Sequence, residues 1–269
     1  MTMPAPAPDR TCIVTGASSG IGLEIARQLA KKGYGLTLTA RREDRLTTLA
    51  EELRATGIRV EVVAADLSVA EERARLVDEV GARGLAVDVL VNNAGLSTSG
   101  PAYRTDRDRE LLMIRTNVEA VIDLCTLVLP GMVERGQGGV LNVASTAAFQ
   151  PVPGQAGYGG TKAFVLSYGH AIRAELRGKG VIVTTLCPGP VQTGFGEAAG
   201  ITDEEAQVLP KIMWLTADEV AKQGVEGLMH NKAVVVPGAA NRLMTGAAWL
   251  TPRSVLVPIL ARQHPSLRH

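Results

Sequence analysis

Two hydrophobic rhythms alternate along the chain. Short apolar runs bounded by Gly, Pro, Asn or Ser predict strands at 11–16 (TCIVTG), 35–40 (GLTLTA), 58–66 (IRVEVVAAD), 87–95 (VDVLVNNAG), 138–145 (GGVLNVAS), 181–189 (VIVTTLCPG) and 233–238 (AVVVPG). Between them the spacing changes to a helical one. In GLEIARQLAKKG (22–33) the apolar positions 23, 25, 26, 29 and 30 share one helix face, and Gly33 ends it. REDRLTTLAEELRATG (42–57) reads as a charged amphipathic helix. SVAEERARLVDEVGARG (68–84) reads as another, capped by Ser68. Long helices are predicted near 106–135 and 158–178.

Strands alternating with amphipathic helices predict an α/β fold. Right-handed crossovers make it a doubly wound parallel sheet with helices on both faces. No internal repeat or linker interrupts it, so 11–238 reads as a single domain. The Pro- and Ala-rich start, 1–10, reads as a short disordered arm. The stretch 239–269 reads as an extension packed on the domain or on a partner subunit, with short helices at NRLMTGAAWL and PRSVLVPILARQ. The irregular segment 189–213 is expected to be the most mobile part of the domain.

Composition narrows the function. Hydrophobic residues at 46% supply a substantial core. A net charge of +1 and only 3% aromatic residues argue against a nucleic-acid surface or a base-stacking platform. Cys12, Cys125 and Cys187 stand far apart in apolar runs, which reads as buried thiols and no metal site. No stretch reaches the roughly 20 apolar residues of a membrane span, and the start lacks a signal-peptide core. A cytoplasmic protein is expected.

TGASSGIG (15–22) lies between the first strand and the first helix. Glycines there permit a tight turn and close approach of a ligand, and the helix start offers free N–H groups to a phosphate. YGGTK places Tyr158 and Lys162 four residues apart, on one face of a helix with Cβ atoms roughly 6 Å apart. A nearby ammonium lowers the phenol from its usual pKa of about 10, which suits a group that gives and takes a proton at a carbonyl or alcohol oxygen. Ser145, at a strand end, is placed to hydrogen-bond the same oxygen. Where an NAD-selective site carries a carboxylate, LTLTARRED has Ala40, Arg41 and Arg42. Guanidinium groups suit a ribose 2′-phosphate, so NADP(H) is expected in preference to NAD(H), with Arg41 as primary contact and Arg42 in support.

Taken together, TGASSGIG, NNAG (92–95), Asn117, Ser145, Tyr158, Lys162 and PGPVQT (188–193) give the chain, over about 11–237, a resemblance to the short-chain dehydrogenase/reductase family. The resemblance implies a Rossmann-like fold and a catalytic tetrad of Asn117, Ser145, Tyr158 and Lys162. It implies that Asn117 holds a water in a proton relay and that Lys162 also binds the nicotinamide ribose. Gly16, Ser18, Ser19, Gly20, Ile21 and Gly22 would take the pyrophosphate side. Asp66 and Leu67 would lie near the adenine, and Asn93, Ala94 and Gly95 beside the adenosine ribose. Pro188, Gly189, Val191 and Thr193 would frame the nicotinamide. Leu96, Phe149, Val152, Pro153, Phe195 and the segment 195–213 are expected to wall a pocket for a lipophilic carbonyl or secondary alcohol. One departure is Gly160-Thr161, where the family often has alanine and serine; the glycine either permits close packing or is neutral. The resemblance further implies a homodimer through the two long helices, to which Val121, Leu124, Val128, Phe164 and Leu166 are expected to contribute where they do not face the sheet, or a homotetramer. Two rival functions remain: a non-catalytic NADP(H)-binding sensor or structural relative, and a methyltransferase, which has no need of Tyr158, Lys162 or the arginines.

Overall fold

The computed structural model describes residues 3–196, 200 and 210–263. Seven strands form one parallel sheet: β1 (Arg10–Thr15), β2 (Leu36–Thr39), β3 (Val60–Val62), β4 (Ala86–Asn92), β5 (Gly138–Val143), β6 (Val181–Leu186) and β7 (Val234–Val235). Their spatial order is β3-β2-β1-β4-β5-β6-β7, so the order reverses between β1 and β4. The central strands are buried on both faces: Cys12, Ile13 and Val14 of β1 and Val89, Leu90 and Val91 of β4 are inaccessible to solvent. That explains their continuous apolar runs.

Helices α1 (Gly20–Ala30), α2 (Glu43–Arg54) and α7 (Ala217–Met229) cover one face, where Ile25, Leu29, Leu46, Val220 and Leu228 pack in a common cluster. On the other face lie α3 (Ala70–Ala82), α5 (Ala120–Glu134) and α6 (Ala156–Glu175), which contribute Leu76, Val80, Leu124, Met132 and Ile172. Burying each such leucine or isoleucine contributes about 2 kcal/mol. The α/β architecture is thus the one the periodicity predicts.

Four local expectations change. Residues 3–10 are not detached: Met3 belongs to the first core cluster, and the Tyr34 hydroxyl donates to the Pro4 carbonyl at 2.7 Å. Ser68 does not cap α3, because its N–H and hydroxyl both turn back to Asp66 Oδ1, at 3.0 and 2.7 Å. The long helix near 106–135 is three pieces: α4 (Arg107–Ile114), a π-helical turn (Arg115–Glu119) and α5. Lastly, Val121, Leu124 and Val128 of α5 are buried within the subunit, while Ile122 and Leu127 face outward.

After β7 the chain forms α8 (Ala239–Leu250) and α9 (Arg253–Gln263), matching the two short helices predicted. Asn241, Thr245 and Ala248 form the buried side of α8, and Arg253 donates to the Phe149 carbonyl at 2.9 Å. Trp249 remains 70% exposed. Residues 197–199 and 201–209 of the irregular segment lie outside the described residues. No helix among the described residues is long and apolar enough to cross a membrane.

Candidate active site

The sequence-predicted residues converge at the C-terminal ends of the strands around the β1/β4 reversal, where open α/β sheets bind ligands. Gly16 and Gly20 have φ of +66° and +58°, a left-handed conformation that favours glycine. Gly22 is required for a different reason: a Cβ there would lie 2.5 Å from the Gly16 carbonyl oxygen and overlap the Asn93 amide. Asn93 Nδ2 donates to the Thr15 carbonyl at 2.8 Å, so the NNAG segment props the loop from below. Its partner Asn92 is structural, bonding Asn142 across β4 and β5 at 2.9 Å.

Thr15 escaped the sequence reading. Its hydroxyl donates to the Val91 carbonyl at 2.9 Å and accepts from the N–H groups of Asn93 and Ala94 at 2.9 and 3.0 Å. It therefore clamps the two loops that follow β1 and β4. Its position just before the first loop glycine was the available signal.

Ser19 is the N-cap residue of α1, yet its side chain makes no capping bond. Instead Arg42 Nη2 donates to both Ser18 and Ser19 hydroxyls at 2.9 Å. A guanidinium thus stands beside the uncapped start of a helix, and the two together offer N–H donors and positive charge to an anion. Arg41 takes the other direction, toward Asp66. Burial raises the Asp66 carboxyl, but the two Ser68 hydrogen bonds and the Arg41 charge outweigh it and hold it below the usual range. Of the two arginines, Arg42 is the one that reaches the glycine loop. Leu67 is buried, and Arg73 holds its carbonyl at 2.8 Å.

Ser145 follows β5 and caps a 3-10 turn (Thr146–Phe149), accepting from Ala147 N–H at 3.1 Å. Its hydroxyl also donates to the Pro188 carbonyl at 3.4 Å, and it stands close enough to Tyr158 to act on the phenol. Tyr158 and Lys162 share one face of α6, with Nζ 5.8 Å from the phenol ring centroid. Lys162 is only 5% exposed and donates to the Val143 carbonyl at 2.9 Å. Burial pushes its pKa down to about 8, with the neighbouring Cys187 acting weakly in the opposite sense. Burial raises Tyr158, and the Ser145 hydrogen bond acts against it. Here the sequence expectation is corrected: desolvation outweighs the Ser145 hydrogen bond, and the phenol is shifted up rather than down.

Asn117 sits in the π-helical turn and is 1% exposed. Such turns insert one extra residue and re-aim a side chain. Its Oδ1 accepts from Leu96 N–H at 2.8 Å, and its Nδ2 donates to the Leu96 carbonyl and to Thr161 Oγ1 at 2.9 and 3.0 Å. Thr161 in turn donates to the Tyr158 carbonyl at 2.8 Å. Gly95 lies over this group: a Cβ there would be 3.3 Å from Asn117 Oδ1 and 3.5 Å from Lys162 Nζ. The two glycines of α6 differ. Gly159 packs against Val152, whereas Gly160 faces open space.

Across from α6, Pro188 accepts from Thr146 N–H at 2.8 Å. Val191 bridges to Leu215 in parallel, with Gln192 N–H to Leu215 O at 3.0 Å and Leu215 N–H to Pro190 O at 3.2 Å. Thr193 reaches the glycine loop, its Cγ2 lying 3.4 Å from where a Gly20 Cβ would stand. The Phe195 ring lies 6.0 Å from that of Tyr158. Among the described residues no cluster of three or more His, Cys, Asp or Glu is arranged to hold a metal ion.

A sequence model described as short chain dehydrogenase matches residues 10–204. Sulfoacetaldehyde reductase 2 of Chromohalobacter salexigens is 42% identical over 187 residues, which is 68% of this chain and 73% of that protein. A short-chain dehydrogenase from Sphingobium yanoikuyae, solved in complex with NADPH, aligns over 93% of this chain and 95% of its own, with 33% identity and a TM-score of 0.79. Actinorhodin polyketide ketoreductase with NADPH aligns over 87% and 97%, with 33% identity and a TM-score of 0.76. With the glycine loop, the buried lysine and the Ser145–Tyr158 pair in one cleft, the chain belongs to the short-chain dehydrogenase/reductase family of oxidoreductases.

Proposed function

We propose that the protein interconverts a carbonyl and a secondary alcohol with NADP(H), using Tyr158 as the acid/base. The observation that carries this reading is the meeting of Ser145, Tyr158, Lys162 and Asn117 opposite the glycine loop. Gly16, Ser18, Ser19, Gly20, Ile21 and Gly22 would hold the pyrophosphate, and Asp66, Leu67, Asn93, Ala94 and Gly95 the adenosine. Pro188, Gly189, Val191 and Thr193 would frame the nicotinamide. The bound nicotinamide supplies or accepts the hydride.

The protein's own residues manage the proton. An upward-shifted phenol is protonated at neutral pH, so Tyr158 is ready to donate to a carbonyl oxygen as negative charge develops there. Ser145 donates a second hydrogen bond to that oxygen. Lys162 presents a cation close to the ring and stabilises the phenolate left behind. Asn117, through Thr161, fixes the turn of α6 that carries Tyr158.

Preference for NADP(H) over NAD(H) rests on Arg42 at the glycine loop and Arg41 near Asp66, two cations suited to a 2′-phosphate. The Phe195 ring beside Tyr158 favours a substrate with an apolar flank. The proposed assembly is a cytoplasmic homodimer, with a homotetramer as the larger alternative. Its support is the outward Ile122 and Leu127 on α5 and a groove of about 460 Å³ on α6, walled by Pro151, Val152, Gly160 and Arg253. A panel of ketones and aldehydes, read as loss of NADPH absorbance, tests the function. Turnover is expected with at least one lipophilic carbonyl, and Tyr158→Phe should abolish it while NADPH still binds. Turnover by Tyr158→Phe within a few-fold of the parent would refute the assignment.

A further inference from the structure

The family match stops at residue 204, but the chain contributes a buried amide to the site well beyond it. Asn241, on the first turn of α8, is 1% exposed. Its Nδ2 donates to the carbonyls of Met213 and Pro237, both at 3.0 Å. Its amide plane lies against Gly189. A Cβ at 189 would stand 2.6 Å from Asn241 Cγ and 2.7 Å from Nδ2, so the asparagine occupies the space a side chain there would need. Oδ1 is buried with no hydrogen-bond partner among the described residues. A helix surface that only needed covering would be served better by an apolar side chain, because an unpaired buried carbonyl is costly.

What Asn241 grips is specific. The Met213 carbonyl lies two residues before Leu215, and Leu215 pairs through its backbone with Pro190 and Gln192. Gly189 belongs to the same loop. The amide therefore fixes the 188–193 loop twice, directly at Gly189 and through Leu215. Arg253 reinforces the arrangement from α9 by holding Phe149 at the end of the turn that Ser145 caps.

We infer that Asn241 is a positioning residue for the nicotinamide end of the site, and that the extension after β7 completes the active site. The inference rests on the NADP(H) reading above. A residue that merely knits the tail would lower stability evenly. A residue that sets the 188–193 loop would weaken ligands that reach the nicotinamide seat and spare those that stop at the adenosine.

The test compares NADPH with 2′,5′-ADP, which carries the adenosine half and the 2′-phosphate alone. Both are titrated calorimetrically into the full chain and into Asn241→Ala and Asn241→Ser. Loss of the hydrogen bonds to Met213 and Pro237, and of the packing against Gly189, should loosen the loop and weaken NADPH about tenfold in Asn241→Ala. 2′,5′-ADP should stay within twofold. Asn241→Ser, which keeps one donor on a shorter arm, should fall between and serves if the alanine variant is insoluble. With NADPH deuterated at its transferable position, the isotope effect on turnover should rise in the variants. Equal weakening of the two ligands, or a lowered melting temperature with both affinities unchanged, would overturn the inference. A parent chain that binds neither ligand would overturn the cofactor reading itself, and this inference with it.

Discussion

Replacing Lys162 by methionine should stabilise the protein while destroying its activity. The side chains are similar in length, so the change mainly removes a buried charge. A fall in pKa from 10.5 to about 8 on burial, at about 1.4 kcal/mol per pH unit, means the charged form costs the native state about 3 kcal/mol. Methionine removes that cost but leaves the Val143 carbonyl without its partner, a loss of about 1–2 kcal/mol. The variant should therefore be more stable at pH 7 by about 1–2 kcal/mol. The sign reverses with pH. The lysine pKa is lower in the native state, so below about 8 both states are protonated and the penalty is complete. Between about 8 and 10.5 the unfolded chain holds the proton while the native one releases it, and the parent gains stability. The two stability curves should cross in this window. Urea unfolding of both proteins from pH 7 to pH 10, without added nucleotide, measures the difference, and groups common to both cancel. A variant less stable at pH 7, or a gap independent of pH, would refute the reasoning.

Arg42→Ala should weaken NADPH by about tenfold or more and leave NADH nearly unchanged, since a lost charged hydrogen bond is worth roughly 1.5–3 kcal/mol; Arg41→Ala should do the same to a smaller extent. Equal losses for the two dinucleotides would show that neither guanidinium reads a 2′-phosphate. Gly22→Ala should cost about 1–3 kcal/mol through overlap with Gly16 and Asn93, with dinucleotide affinity falling more than stability; unfolding titrations together with NADPH binding check this, and an unperturbed Kd would contradict it. Light scattering should find a dimer at micromolar concentration, and a double Ile122→Glu, Leu127→Glu variant should be monomeric; a monomeric parent would remove the proposed interface.

The sequence announces most readily what backbone geometry and helix period enforce. Gly16 and Gly20 are legible because positive φ excludes most other residues, and Tyr158 with Lys162 because four residues span one helical turn. Long-range partners are hidden. Thr15 looks like any strand threonine until its hydroxyl is seen to join loops that lie 76 residues and more apart. Asn241 lies in a stretch that reads only as apolar packing. The π-helical turn at Asn117 depends on a hydrogen-bond register that composition does not encode. Ser68 looked like a cap because Asp66 competes for it, and 1–10 looked detached because Met3 and Pro4 find their partners in tertiary structure. The direction of the Tyr158 shift was misjudged because charge proximity is visible in a spacing and burial is not.

The central place of β1 has a consequence for biosynthesis. One flank pairs with β2 soon after it is made, but the other waits for β4. Thr15 and Val91, joined in the native sheet, are 76 residues apart. At a ribosomal rate of roughly 5–20 residues per second, the second flank of β1 stands open for roughly 4–15 seconds. An unpaired apolar strand edge is a template for pairing with another chain. The nascent protein thus passes through an interval in which a strand destined for the middle of the sheet is its stickiest surface, and holdase chaperones should engage it between the completion of β2 and the arrival of β4.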